Sequence, residues 1–479
     1  MIVFNRDENS KYETDSYLRQ IIIIIISGIL VFWLLGFIFQ KDVLKHKTLQ
    51  NEFIANDDVV SYIMTDSSQF LKDENPDSVS FTFFDINEAR KPSESFGFNI
   101  VEIDSQGTKR VNELGRFFEN LYKLETSKTG NVRIAYYGDS MLEDDFIVNT
   151  VRSLLQNKYG GSGAGMFPIS LSNPSGRHTI KHNFSSNWQT SSLIKRTFFP
   201  IGVSGMTSFA LNSDSLWISY KPTTKRTRNP VLVYGKSNNM NGKLHISSQN
   251  YQQNTSLNPQ NTINFTEINI IEDSIMLIFS NVDSIPFFGM DFSAQNGVYV
   301  DNFSIRGSSG LPLVHLNKSL MNTFQKYFNY DLIILQFGAN VIKPDIKKYK
   351  WYCDKMINVV KHIRECFPEA DILVISAADK AAKYAAEIKT DTLIYPLLRS
   401  QREYASVTNS SFINLFQIMG GEGTMAQWVN REPPLGAKDF IHFSPSGAKI
   451  LGNAIYEKLE EEYQSYKNIK AGGENNEKN

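Results

Sequence analysis

The chain has 479 residues, enough for two or three folded units. Hydrophobic residues make up 41% and charged residues 21%, a globular balance that excludes disorder over most of the length. A formal net charge of -1 offers no basic surface for nucleic acid, and two cysteines, Cys353 and Cys366, build neither a disulfide scaffold nor a zinc site alone.

The first predicted element is Ile21 to Gln40, IIIIIISGILVFWLLGFIFQ. A run of about 20 residues without a charge is long enough to cross a hydrocarbon core of roughly 30 Å as a helix. No small-residue cleavage site follows it; QKDVLKHK does, which argues against a secretory signal. Residues 21–40 are therefore expected as a membrane anchor, with residues 1–20 before it. Flanking charge does not orient it, because Arg6, Lys11 and Arg19 balance Lys41, Lys45 and Lys47. Residues 41–127 read as a connector with one helical segment, VNELGRFFENLYKLE, where Leu114, Phe117, Phe118 and Leu121 share a face.

From Asn131 the pattern becomes strand, turn, helix. Val132 to Tyr137 is a buried strand, Gly138-Asp139-Ser140 the turn, and Glu143 to Tyr159 a helix. Residues 167–298 are rich in Ser, Asn and Thr and carry short strand-like runs: LWISY, VLVYG, KLHIS and INIIEDSIMLIFS, with GVYVDNFSI at the border. Asn241-Gly242 and Asn296-Gly297 mark turns between them, and the spacing predicts a β-sandwich or jelly roll. Strands and helices then alternate again through LIILQFG, YKWYCDKMINVVKHIREC, DILVISA, SFINL and a closing helix with Ser444 as N-cap and Pro445 at its first position. That alternation predicts a mainly parallel sheet with helices on both faces, interrupted by the β-rich block. Residues 466–479 are polar and expected as a disordered tail.

Four stretches carry chemistry: Gly138-Asp139-Ser140, Gly307 in RGSSG, Gly338-Ala339-Asn340, and Asp439 with His442 in KDFIHFSPSG. All fall at carboxyl ends of strands or in loops beside them, the rim where parallel sheets form sites. A serine hydroxyl needs a base within about 3 Å, an imidazole suits that task, and a carboxylate on its other nitrogen fixes the tautomer. Backbone N–H groups at Ser140 and Gly307 and the Asn340 amide are candidates for the oxyanion donors. GVSGMTS, with Gly202 and Gly205, is a rival for the Gly307 loop, which is preferred because its strand leads back into the α/β alternation. His178, His182, His315 and His362 lack such context and read as surface or packing residues. Asp139 is read as bonding nearby backbone, and Trp188 and Trp217 as core positions with a smaller prospect of sugar contact.

The four stretches, in this order, resemble the sequence blocks of SGNH (GDSL-type) hydrolases. The likeness is closer to the peptidoglycan O-acetylesterase type, through GDSMLEDDF with the glycine-rich turn after it and through IMGGEGTMAQWV before the Asp-x-x-His block. The resemblance implies a three-layer αβα, flavodoxin-like domain split between residues 128–166 and 299–465, with residues 167–298 as an inserted carbohydrate-binding-like domain. It implies Ser140 as nucleophile, His442 as base, Asp439 as its partner, and Ser140, Gly307 and Asn340 as oxyanion hole, with no metal or organic cofactor. Met141 replaces the more usual leucine and Val341 an acidic residue; neither change removes a catalytic group. The implied activity is deacetylation of an O-acetylated cell-envelope glycan, peptidoglycan first, outside the membrane, with residues 1–20 inside. An O-acetyltransferase and a catalytically inactive glycan-binding envelope protein remain open alternatives on the sequence.

Overall fold

The computed structural model describes residues 113–476 except 172–176, 178, 196–199, 212–215, 224–228, 270–273, 294–295, 344–345 and 386. The expected anchor at residues 21–40 and most of the expected connector lie outside the described residues. Among the described residues no helix is long and apolar enough to cross a membrane.

Five strands form one all-parallel sheet: β1 (Asn131–Gly138), β2 (Gly297–Ser304), β3 (Tyr330–Gln336), β4 (Asp371–Ile375) and β5 (Ser411–Ile413), in the order β2-β1-β3-β4-β5. This is the flavodoxin-like strand order. Nearly every residue of β1, β2 and β3 is buried, as a sheet covered on both faces requires. Alternate side chains feed two cores. Val132, Ile134 and Tyr136 meet α1 (Gly115–Ser127), α2 (Phe146–Tyr159) and α8 (Pro445–Asn476). Ala135 and Tyr137 face α3 (Lys318–Phe328), α4 (Lys350–Cys366) and α5 (Ile394–Val407), and two short helices, α6 (Leu415–Met419) and α7 (Thr424–Asn430), follow β5.

The described strands between Met166 and Asp291 build two antiparallel sheets. One runs through Ile263–Glu267, Val231–Gly235, Phe287–Asp291, Met206–Ala210 and Trp188–Ser192, with Met166–Phe167 paired to Phe287–Asp291. The other runs through Ile180–Phe184, Leu216–Pro222, Ile275–Ser280, Lys243–Ser247 and Gln252–Ser256. A shared apolar core that includes Leu216, Ile218, Leu277 and Phe287 marks them as a sandwich. Trp188 belongs to that core, edge-on to Phe279 and Phe287, whereas Trp217 is half-buried.

Arg133 of β1 joins sandwich to sheet. Its guanidinium is buried, 2.7 Å from Asp301 of β2 and 3.0 Å from Asp291 of the sandwich. Tyr330 O–H and Met166 N–H also donate to Asp301, each at 2.8 Å. The two carboxylates outweigh the desolvation of Arg133 and hold its pKa well above the usual value.

Three expectations change. The helix expected from Glu143 begins at Phe146, because Asp145 takes a left-handed conformation (φ 62°) and the residues before it form a 3-10 turn, Ser140–Leu142. Helix α1, expected in the connector, packs Leu114, Phe117, Phe118, Leu121 and Leu124 into the core under the sheet. The expected disordered tail from residue 466 continues α8 to Asn476; Tyr466, Lys467 and Lys470 bond Glu119 and Glu125 of α1, extending the contact that stabilises the helix.

Candidate active site

The site is assembled at the carboxyl rim of the parallel sheet. Strand β1 ends at Gly138, and the 3-10 turn after it carries Ser140. Asp139 caps that turn: its Oδ1 accepts the Met141 N–H at 3.0 Å. Asn302 of β2 donates its amide to Leu142 O and to Asp145, both at 2.8 Å, and Arg152 donates to Asp145 at 3.0 Å. The serine therefore stands on a rigid elbow between the sheet and α2.

His442 comes from the loop before α8, where Ser444 Oγ accepts the Gly447 N–H as an N-cap. Its Nε2 lies 2.9 Å from Ser140 Oγ, and its Nδ1 lies 2.6 Å from Asp439 Oδ2. A carboxylate only accepts, so Nδ1 carries the proton and Nε2 is left to accept from the serine hydroxyl. Asp439 Oδ1 also accepts the backbone N–H groups of Ile441 and His442, each at 2.9 Å. Partial burial raises the Asp439 pKa, but these bonds together outweigh it and hold the carboxyl below its usual value.

Gly307 lies in a turn that follows β2, closed by Ser308 N–H on Ile305 O at 3.1 Å and tied to β1 by Ile305 N–H on Gly138 O at 3.0 Å. Its φ of 82° requires the left-handed region, and nothing crowds the face where a Cβ would stand. Asn340 follows β3; its side-chain amide donates to Ser308 O at 3.2 Å and lies near the Asp139 carboxylate. Gly338 lets that loop pass close to the segment after β4, since a Cβ there would meet Ala377 Cβ at 2.5 Å. The rival Gly205 packs against Leu193 and Ile305, on the sandwich side of the Gly307 turn.

The structure thus brings Ser140, His442 and Asp439 into one hydrogen-bonded chain and links the loops of Gly307 and Asn340 at Ser308. A small cleft opens beside them, lined by Asp139, Met141, Ala339, Ala377, Asp379 and Ile441. Asp139 is buried, and its Oδ2 has no partner within hydrogen-bond geometry, although the Asn340 amide and the Gly338 N–H are near enough to favour the carboxylate. Burial wins and pushes its carboxyl up to about 6. Sequence reasoning missed one pair: Glu143, three residues after Ser140, is bonded to Arg306, the residue before Gly307. The signal was present as an acid and a base flanking two of the blocks. Among the described residues no cluster of side chains suits a metal ion.

No protein-family model matches the chain, and no match is found among curated proteins. Among solved structures, a peptidoglycan O-acetylesterase superposes with a TM-score of 0.62 at 19% identity, covering 73% of this chain and 96% of the other. A family two carbohydrate esterase from Cellvibrio japonicus matches at 11% identity over 60% of this chain and 98% of the other, with a TM-score of 0.25. An acetyl xylan esterase matches at 16% identity over 33% and 80%, also at 0.25. Scores that low carry no argument, and the first likeness establishes fold rather than activity. The described residues share the fold of that O-acetylesterase, which agrees with the relationship to SGNH-type hydrolases that the four sequence blocks imply.

Proposed function

We propose that the protein is a membrane-anchored serine esterase that removes O-acetyl groups from a cell-envelope glycan, with peptidoglycan as the leading substrate. The observation that carries this reading is the relay from Ser140 Oγ through His442 to Asp439, at 2.9 and 2.6 Å, on the rim of a flavodoxin-like sheet.

Ser140 Oγ attacks the acetyl carbonyl carbon while its proton passes to His442 Nε2. Asp439 stabilises the imidazolium so formed. The tetrahedral oxyanion is received by N–H groups of Ser140 and Gly307 and by the Asn340 side-chain amide. Collapse breaks the ester C–O bond, and His442 returns its proton to the departing sugar hydroxyl. Water, deprotonated by His442, then attacks the acetyl-serine, acetate leaves, and Ser140 recovers its proton. The apolar walls of Met141, Ala339, Ala377 and Ile441 suit an acyl group as small as acetyl.

The His442 side chain is 36% exposed, so water has access to the acyl-enzyme. The complete relay weighs against an inactive binding protein. The glycan assignment draws support from the O-acetylesterase whose fold this chain shares, and an envelope location from the apolar run at residues 21–40. The test is acetate release from O-acetylated peptidoglycan against acetylated xylan by the unaltered protein and by Ser140→Ala. Release from peptidoglycan that vanishes in the variant is expected; equal release by both proteins would overturn the mechanism, and preference for xylan the substrate.

A further inference from the structure

Glu143 and Arg306 connect the two turns that bear backbone oxyanion donors. Glu143 closes the nucleophile turn, its N–H donating to Ser140 O at 3.3 Å. Its side chain is only 10% exposed, and its Oε2 accepts Arg306 Nε at 2.7 Å, with a terminal guanidinium nitrogen 2.5 Å from the same oxygen. Arg306 immediately precedes Gly307, and its own side chain is 59% exposed.

We propose that the Glu143–Arg306 pair is a positioning clamp that sets the separation between the Ser140 and Gly307 N–H groups. The proposal rests on the esterase reading of the same site. Its physical basis is that an oxyanion hole works by preorganisation, with donors about 2.7–3.1 Å from where charge develops. At the glycine itself the Gly307 turn has little packing to supply that order. Its glycine adopts a left-handed conformation, and no neighbour packs against the face where a side chain would stand. The backbone bond from Ile305 N–H to Gly138 O already ties the start of the turn to the end of β1, while Ser308 O receives the Asn340 amide and Ser309 O the Tyr352 hydroxyl at 2.8 Å. Arg306 adds a charge-assisted contact to the residue that closes the nucleophile turn, with its Nε and a terminal nitrogen both against the mostly buried Oε2 of Glu143. With its cation largely in water, the pair contributes little to global stability. Its effect falls on the transition state.

The test uses the unaltered protein with Arg306→Ala, Glu143→Gln, the double variant and Arg306→Lys. Turnover of a small acetyl ester and the rate of Ser140 labelling by a fluorophosphonate are measured, because the phosphonate oxygen needs the same donors. Each single variant is expected to lose about tenfold in kcat and in labelling rate, with KM within twofold and the melting temperature within about 2 °C. Arg306→Lys should recover part of the loss, and the double variant should be no slower than the slower single. Singles within twofold of the unaltered protein, losses that multiply in the double variant, or losses that track KM or melting temperature would each overturn the clamp. If the unaltered protein labels at Ser140 and Arg306→Ala labels equally fast, the clamp alone fails. If the unaltered protein does not label, the esterase reading fails and takes the clamp with it.

Discussion

Asp439 holds His442 by two routes at once: one carboxylate oxygen faces the ring Nδ1 at 2.6 Å, and the other accepts the same residue's backbone N–H at 2.9 Å. Ring and backbone are therefore fixed by a single side chain. In Asp439→Asn one amide oxygen can still accept a bond, but the group facing Nδ1 can become a donor and select the wrong tautomer. Because the Asp439 side chain is 48% exposed, water can partly substitute for it. The expected loss in kcat is about 10²-fold, toward the low end for such variants. Steady-state hydrolysis of an acetyl ester checks it, with near-normal activity as the contrary result.

The oxyanion donors should divide by type. Asn340→Ala removes a side-chain donor, with an expected kcat loss of about 10²–10³-fold and little change in KM. Gly307→Ala has space for its methyl group but must hold a φ of 82°, a cost of about 1–2 kcal/mol. The backbone N–H is retained but displaced, so kcat should fall while the protein stays folded. Kinetics combined with circular dichroism separate these outcomes.

Arg133 and Arg116 make opposite predictions about stability. Removing Arg133 leaves Asp291 and Asp301 buried without their cation, and Arg133→Ala should cost about 3–5 kcal/mol in urea unfolding. Arg116 pairs with Glu369 at 3.2 Å, but both side chains are more than half exposed. Arg116→Ala should change stability by less than about 1 kcal/mol.

Asp139 should leave a signature in the pH dependence of stability. Its folded-state pKa of about 6 lies above the ordinary carboxylate value near 4, so between those limits the folded protein binds more protons than the unfolded chain. Its contribution is therefore fully present below about pH 4 and is lost as pH rises through about 6. Two pKa units amount to about 3 kcal/mol. Asp139→Asn keeps an oxygen for the Met141 N–H and cannot ionise. The stability of the variant relative to the unaltered protein should rise from pH 4 to pH 6 and level off above, as read by urea midpoints. A difference that stays flat across that range would contradict the burial argument.

Much of the architecture was legible because burial on two faces leaves near-continuous apolar runs. LIILQ and DILVI announce β3 and β4, and the stripe of Leu114, Phe117, Phe118 and Leu121 announces α1. Ser140, Asp439 and His442 were legible through order and spacing, and the coordinates bring them together. Sandwich strands such as Gln252–Ser256 were not, because an edge strand of polar residues carries no alternation to read. The late start of α2 depended on Asp145, whose left-handed backbone is sustained by Arg152 and by Asn302. Asn302 lies 157 positions away in the chain, beyond the reach of any local pattern. The Glu143–Arg306 pair is separated by 163 positions and was hidden for the same reason.

The hydroxyl and imidazole that must meet are 302 positions apart, with the whole sandwich threaded between the first two strands of the sheet. A nascent chain leaving the ribosome displays Ser140 early, yet the base arrives only with the final helix. A translation product that stops before His442, however well its sandwich folds, leaves the Ser140 hydroxyl without its imidazole.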